Sequence, residues 1–261
     1  MRITLATYNI LHGYHADLIL KNLAILVEKS ANIICIQEAD PPFKNLLNDF
    51  VRNKKWQVIY FYDTKGCNLA IAWNPEFLRF QGSENILLPM PRKPSLAQRI
   101  IIGSIEKLQR GALSASFLAS DKVIRVTNAH LAWEGGIKHT LLQLGHLKWQ
   151  LNKRQNDHEV LAGDFNTFAP SILRKIKQRK VEEVLGECWT NQFPNIFWTC
   201  DTSYVAPQDG VTPYANFLRS LGIKMRSRLD YIFTLNLNAV SGEMLDLPGS
   251  DHRPVIGIFE I

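Results

Sequence analysis

Val160-Leu161-Ala162-Gly163-Asp164-Phe165-Asn166-Thr167 is the stretch around which the rest of the chain is organised. A short apolar run stops at a glycine, and an acid and an amide follow two residues apart. Val160 to Ala162 predicts a buried strand, and Gly163, with no Cβ, lets the backbone turn out of the sheet. Asp164 and Asn166, at i and i+2, then face the same way at the strand's carboxyl end. One is a charged acceptor, the other both donor and acceptor. The pair suits a water molecule beside a phosphate, and equally suits a plain strand closed by an Asx-turn. Which reading holds depends on what other segments bring to the same place.

The chain has 261 residues, ample for a well-buried core. Hydrophobic residues make up 46% and charged residues 21%, which excludes disordered and fibrous classes. The net charge of +6 and a pI near 9.1 favour an anionic partner, the more so if several acids are gathered at one metal site. Cys35, Cys67, Cys188 and Cys200 form no CxxC pair and have no zinc-like spacing with histidine. Cys35, inside Ile33-Ile34-Cys35-Ile36, reads as a small buried hydrophobe, and a reduced intracellular setting follows. Met1 to Tyr8 alternates like a strand and is too short and polar for a signal-peptide core. No apolar run approaches the ~18 residues that span a bilayer. The expectation is a soluble, cytoplasmic protein with no transmembrane segment, and nothing indicates a protein partner.

Ile3 to Ile10 predicts a strand, and Asp17 can cap a helix with Leu20, Leu23, Ala24 and Val27 at helical spacing. Ile33 to Ile36 is a buried strand, so the opening reads as a βαβ crossover. Pro41-Pro42 opens a second helix, and Trp56 to Tyr62 with Leu69 to Trp73 form a hairpin around Asp63 to Gly66. Pro89 to Arg110 is a long loop without clear periodicity until Ile100 to Ile102, of the kind that is functional or mobile. Ala112 to Leu118 and Val123 to Ala129 are strands joined at Ser120-Asp121. Gly135-Gly136 precedes a helix with Ile137, Leu141, Leu144, Leu147 and Leu151 on one stripe. Ser171 to Val184 is helical, and its run Arg174 to Lys180 is either a solvated face or a nucleic-acid contact. Leu185 to Gly222 is irregular and aromatic, and its rings pack the loop onto the core, stack bases, or do both. Leu229 to Leu235, Ala239 to Leu245 and Val255 to Ile261 are the last strands. With no repeat, low-complexity tract or linker, residues 1–261 read as a single domain.

On this strand map the polar residues fall at strand ends. Asn9 closes the first strand, Gln37-Glu38 the second, Asn128 and His130 the one from Val123, and Asp164 with Asn166 the next. Ligand sites in open sheets lie at carboxyl ends, so these groups converge on one rim. Ser250-Asp251-His252 precedes its strand, as Asp230 opens another, so both strands must run antiparallel to the first four and the sheets are mixed. Carboxylates and amides without a cysteine cluster select a hard ion, Mg2+ or Mn2+. Glu38 is the foremost candidate for a direct ligand, because an acid ending an apolar strand is costly unless something positive meets it. Taken alone, Glu38 is as well a capping acid before Pro41, and His130 and His252 are ordinary core or surface histidines. Their joint occurrence carries the functional reading.

Thr7-Tyr8-Asn9, Gln37-Glu38, Asn128-Ala129-His130-Leu131, Gly163-Asp164-Phe165-Asn166, Arg228-Leu229-Asp230-Tyr231-Ile232 and Ser250-Asp251-His252 resemble, in order, the motifs of the endonuclease/exonuclease/phosphatase family of metal-dependent phosphohydrolases. The resemblance runs from residue 7 to 252 and implies a four-layer α/β sandwich: two packed mixed β-sheets flanked by helices. It also implies Mg2+-dependent attack of water on phosphorus. On it, Glu38 resembles the main metal ligand, with Asn9 and Asp251 helping to hold the ion or its waters. Asp164 resembles the residue that aligns or deprotonates the attacking water, and Asn166 a phosphate and water contact. His252, oriented by Asp230, and His130 resemble the groups that meet the non-bridging oxygens.

Asn128-Ala129-His130-Leu131 departs from the tyrosine, proline and asparagine of the family's abasic-site endonucleases. Its His-Leu form is similar to the sphingomyelinase, deadenylase and tyrosyl-DNA phosphodiesterase branches. Phe197 to Thr202 is similar to the Thr-Trp-Asp segment of those branches, in a different order and spacing, and Gln37 to Pro42 resembles the tyrosyl-DNA phosphodiesterase form. The expected function is a Mg2+- or Mn2+-dependent phosphodiester hydrolase acting on nucleic acid, as a nuclease or end-processing phosphodiesterase. The alternatives are a phosphatase or phosphodiesterase of a small molecule or lipid headgroup, and a non-catalytic binding module with the same fold.

Overall fold

Strand Arg2–Asn9 (β1) shows how the sequence builds the molecule. Successive side chains of a strand point to opposite faces. Ile3 and Leu5 enter one apolar core, while Ala6 and Tyr8 enter another, so β1 is buried on both sides. The next strand, Ile33–Gln37 (β2), repeats the pattern with Ile33 and Cys35 on one face and Ile34 and Ile36 on the other. This is a computed structural model, and the residues described are 1–62, 68–90, 110–133, 136–154, 156–167, 174–201 and 226–261.

Helix Ala16–Glu28 (α1) carries β1 over to a parallel β2, the expected βαβ crossover. Helix Pro41–Asn53 (α2) leads to the antiparallel pair Gln57–Tyr62 (β3) and Asn68–Trp73 (β4). The turn foreseen at Asp63 to Gly66 lies outside the described residues. Then follow Arg79–Leu87 (β5), Gly111–Ala119 (β6), Lys122–His130 (β7), helix Gly136–Asn152 (α3), and His158–Asp164 (β8). Helix Arg174–Leu185 (α4), the short strands Thr190–Asn191 (β9), Cys200–Asp201 (β10) and Arg226–Ser227 (β11), and Asp230–Leu235 (β12), Asn238–Met244 (β13) and Val255–Glu260 (β14) complete the chain.

One sheet has the order β13-β14-β1-β2-β4-β3 and the other β5-β6-β7-β8-β12-β9. Both are mixed: β1 pairs parallel with β2 and antiparallel with β14, and β8 pairs parallel with β7 and antiparallel with β12. A shared core fills the seam between them, with Ile3, Ile33 and Val255 from one side and Val126, Ala162 and Ile232 from the other. Outside the first sheet, Leu23 of α1 and Leu47 of α2 pack on Ala6 and Ile34. Outside the second, Leu144 of α3 and Val181 of α4 pack on Leu161 and Phe233. These are the four layers expected. Among the described residues no helix is long and apolar enough to cross a membrane.

Three local expectations are corrected. The N-cap of α1 is His15, and Asp17 lies in its first turn, where a negative charge meets the positive end of the helix dipole. The buried stripe of α1 is Ile19, Asn22, Leu23 and Leu26, so Leu20, Ala24 and Val27 flank it rather than define it. Strand β5 stands where the sequence predicts none. It is an edge strand exposed along most of its length, so its composition is polar and carries no alternating apolar signal. The loop read from Pro89 to Arg110 falls mostly outside the described residues, as do Tyr204, Tyr214, Phe217 and Ser171 to Leu173.

Candidate active site

The face of each strand that fills the seam turns polar at one end. On β1 the positions Ile3 and Leu5 are followed, still on that face, by Asn9. On β7 the series Ile124 and Val126 leads to His130, on β8 Val160 and Ala162 lead to Asp164, and on β12 Ile232 is preceded by Asp230. The apolar seam therefore ends in a cavity lined by the polar side chains that the strand ends deliver.

Asn9 ties the two sheets together there. Its Nδ2 donates to Glu38 Oε1 and to Asp164 Oδ2, each at 3.1 Å, while its Oδ1 accepts from the Leu11 backbone N–H. Glu38 leaves β2 in a left-handed conformation, φ 58°, which an L residue adopts at a cost. Its Oε2 has no hydrogen-bond partner and lies 3.2 Å from His12 Nε2. His12 itself sits at φ 55° and reaches Asp40 Oδ2 with Nδ1 at 2.8 Å, and Asn68 Nδ2 donates to the other Asp40 oxygen. Burial would lower the His12 pKa, but the Asp40 hydrogen bond and the Glu38 and Asp40 charges raise it to about 9. His12 therefore stands as a cation against Glu38.

Asp164 accepts the Asn166 N–H at Oδ1, 2.8 Å, and Asn166 Nδ2 at Oδ2, 3.3 Å. The Asx-turn reading of Gly163 to Asn166 is thus realised, inside the polar cluster rather than apart from it. Asn166, at φ 48°, also donates to the Leu131 carbonyl. Gly163 is required by space: a Cβ there would lie 2.0 Å from the Ala129 carbonyl oxygen on neighbouring β7, and its φ is +136°. Burial, opposed by His252 and aided by Asp230, pushes the Asp164 carboxyl up to about 7.

The two histidines flank Asp164, His130 Nε2 and His252 Nε2 each 3.7 Å from Oδ2. They differ in charge. His252 is buried, which alone would lower its pKa, but Asp230, with Oδ2 2.8 Å from Nδ1, and the nearby Cys200, Asp251 and Asp164 raise it well above the usual value. Burial first, then Arg110, His252 and His12, push His130 well below it, so His130 is neutral where His252 is an imidazolium. The motifs alone do not separate them. Arg110, buried immediately before β6, places Nη1 3.2 Å from His130 Nδ1 and 3.1 Å from Nε2.

Asp251 is held by its neighbours: Ser250 Oγ donates to the Asn9 carbonyl at 2.8 Å and to Asp251 Oδ1 at 3.3 Å, and the Asp201 N–H donates to the Asp251 carbonyl. Burial, and Glu38 among the charges, raise its pKa. Thr199 Oγ1 accepts the N–H groups of Leu229 and Asp230 and so fixes the start of β12. The structure brings Asn9, Glu38, His130, Asp164, Asn166, Asp230, Asp251 and His252 to this one place. It does not bring Asn128 there. Asn128 crosses the seam, donating to the Ile36 and Ala70 carbonyls and accepting from Gln37 Nε2, so Gln37 and Asn128 bolt the sheets together beneath the cavity. His12 and Arg110 were missed by sequence reasoning. His12 follows the strand in a 3-10 turn and Arg110 ends a segment without periodicity, so neither carries a pattern signal.

The donor set suits a hard divalent cation. The carboxylates of Glu38, Asp251 and Asp164 come together here, Asn9 Nδ2 joining Glu38 to Asp164, and the buried oxygens Glu38 Oε2 and Asp230 Oδ1 have no hydrogen-bond partner. Buried carboxylates concentrated in this way call for positive charge. Ligating atoms of Asp164, Asp230 and His252 lie within 4.8 Å of one another, as do those of Cys200, Asp251 and His252.

The model of the Endonuclease/Exonuclease/phosphatase family matches residues 6–252. The chain belongs to the endonuclease/exonuclease/phosphatase family. It is accordingly a phosphoester hydrolase of that family. No curated protein matches it at the level of sequence. Among solved structures, this family member is similar to D. rerio TDP2 complexed with a single-strand DNA product, with TM-score 0.74 at 17% identity, covering 100% of this chain and 99% of that one. An endonuclease/exonuclease/phosphatase from Bacteroides vulgatus gives 0.73 at 15% identity, with 100% and 99% covered. ANGEL2, a 2',3'-cyclic phosphatase in complex with adenosine-2',3'-vanadate, gives 0.67 at 15% identity, with 99% and 95% covered. At these identities the likeness is one of fold.

Proposed function

We propose that this chain is a Mg2+- or Mn2+-dependent phosphodiesterase that acts on nucleic acid, as a nuclease or an end-processing enzyme. The observation that carries the reading is the bridge made by Asn9 Nδ2 between Glu38 and Asp164, which places a ligand-type acid of one sheet beside a base-type acid of the other. The net charge of +6 suits a polyanion. In support of the substrate class, D. rerio TDP2 is bound to single-strand DNA product and ANGEL2 to an adenosine-2',3'-vanadate. Residues 1–261 are taken as one catalytic domain, because the two sheets share a single core across the seam. The free thiols of buried Cys35 and Cys200 favour a reducing, cytoplasmic setting.

Glu38 would hold the divalent ion with Asp251, and Asn9, whose Oδ1 accepts the Leu11 N–H, would hold Glu38 and Asp164 in place with its Nδ2. When bound, the ion would polarise a phosphoryl oxygen and neutralise charge that builds on it. The chain's own residues do the rest. Asp164, with its carboxyl near pH 7, accepts the proton of the attacking water at Oδ2. Asn166, fixed by Leu131, turns its amide toward the same oxygen and limits where that water can sit. His252, an imidazolium kept upright by Asp230, donates from Nε2 to a non-bridging oxygen, and neutral His130 donates a hydrogen bond from the other side. As the water oxygen bonds to phosphorus the ester P–O bond breaks and the departing oxygen takes a proton from solvent, so the transfer asks mainly for this positioning and neutralisation.

Turnover of a chromogenic phosphodiester with and without EDTA tests the reading. Activity is expected with Mg2+ or Mn2+, lost on chelation and lost in Glu38→Ala and Asp164→Ala. Turnover that survives the chelator or either substitution overturns the metal mechanism. A panel of single-stranded DNA, duplex DNA, RNA, sphingomyelin and inositol phosphates under one metal condition then tests the substrate class. Turnover confined to the lipid or the inositol phosphates removes nucleic acid as substrate.

A further inference from the structure

Arg110 brings a guanidinium to this site, a planar group with five N–H donors and no acceptor. It touches His130, which in turn neighbours Asp164, and it is 5% exposed, as buried as the groups it touches. Its Nη1 is nearly equidistant from His130 Nδ1 and Nε2, at 3.2 and 3.1 Å, so the guanidinium lies against the ring and restricts its orientation. Its field also reaches His12. Asp164 Oδ2 and Glu38 Oε1 stand 3.7 and 3.8 Å from His130 Nε2, so the ring is within reach of both the arginine and the carboxylates.

We propose that Arg110 is a positioning residue of the phosphoryl site, which fixes the His130 ring and sets its guanidinium beside it so that the pair meets one non-bridging oxygen. His252, with Nδ1 2.8 Å from Asp230 Oδ2, serves the other side, so one imidazole is oriented by a carboxylate and the other by a guanidinium. The inference rests on the phosphodiesterase reading for the identity of the oxygen. The anion-binding part of it stands on Arg110 and His130 alone.

The test uses the full chain with Arg110→Met, Arg110→Lys, His130→Ala and the double variant Arg110→Met/His130→Ala. Steady-state kinetics on the chromogenic diester is paired with titration of inorganic phosphate into the EDTA-treated protein by calorimetry, and with thermal melting. Expected are a loss of about 100-fold in kcat for Arg110→Met with KM changed by less than about threefold. Arg110→Lys should recover at least about tenfold of that loss. The double variant should be no slower than about threefold below His130→Ala, because residues that act through one another are not additive. Phosphate affinity should fall about tenfold in Arg110→Met and be partly restored in Arg110→Lys. Variants that melt near the wild type with kcat within threefold of it overturn the proposal, as do losses that multiply in the double variant. Should the wild-type chain turn over no phosphodiester, the broader reading fails while the phosphate titration still decides this one: unchanged affinity in both Arg110 variants overturns it.

Discussion

His252 Nδ1 lies 2.8 Å from Asp230 Oδ2, with both side chains buried and the second Asp230 oxygen without a hydrogen-bond partner. The carboxylate is what keeps this imidazole charged and its Nε2 aimed at Asp164. Asp230→Asn preserves shape but removes the charge and allows the amide to present the wrong hydrogen to the ring. The expected result is a fall in kcat of about 100- to 1,000-fold with little change in KM, read by steady-state kinetics. A variant that keeps wild-type kcat would remove the orienting role.

Metal binding should stabilise as well as activate. Asn9 Nδ2 joins Glu38 to Asp164 and the Glu38 charge acts on Asp251, and a cation that binds only the folded chain adds about 2.7 kcal/mol at 100 times its dissociation constant. For a chain of this length that corresponds to a rise in melting temperature of roughly 5–10 °C. Mg2+ or Mn2+ added to EDTA-stripped protein should give this shift, and Glu38→Gln should abolish most of it.

The Asp164 carboxyl is expected to make the metal-free protein less stable as pH rises. Its folded-state pKa, about 7, lies above the ordinary carboxylate value, so the folded chain binds this proton more tightly than the unfolded one. Stability from that group is present below the unfolded value and is lost as pH climbs toward 7. Asp164→Asn should therefore be inactive yet melt higher than the wild type at pH 8 in EDTA, with the gap closing at pH 5. A gap that widens toward acid would reverse the sign and refute the argument.

Far from the cavity, Arg125 and Glu159 form a buried ion pair, and Arg125 Nη2 also donates to the Leu151 carbonyl. Arg125→Met leaves an uncompensated buried acid and should cost about 3–5 kcal/mol, whereas Arg125→Met/Glu159→Leu should recover much of it. Chemical denaturation measures both, and kcat at 25 °C should stay at the wild-type level in each.

Gly163→Ala tests the close approach of β7 and β8. With a Cβ 2.0 Å from the Ala129 oxygen, the strands must separate at the very register that presents His130 beside Asp164. Stability and kcat should both fall, the latter by more than tenfold by analogy with small misplacements of catalytic groups.

Much of this was legible in the sequence because two simple patterns coincide. Period-2 alternation set the strands, and the polar residues that break it at one end, Asn9, His130 and Asp164, lie on the face that alternation had already assigned to the interior. Asp230 and Asp251 then fixed the antiparallel direction of β12 and β14. What escaped had no such signature. Strand β5 is an exposed edge and reads as polar loop. Asn128 has the same position type as His130, and only the separation of the sheets shows that it ties them together rather than lining the cavity. His12 and Arg110 reach the site through a turn and a segment start, where neither periodicity nor capping marks a residue.

One more consequence follows from the Ser250 hydroxyl that donates to the Asn9 carbonyl across 241 positions of sequence. The groups gathered at the seam come from the first strand and from the segment just before the last, so no partly made chain can own a working site. A chain still being made would carry Glu38, His130 and Asp164 before Asp251 and His252, so on the proposed reading the imidazole held by Asp230 would join the others only once β14 can pair with β1.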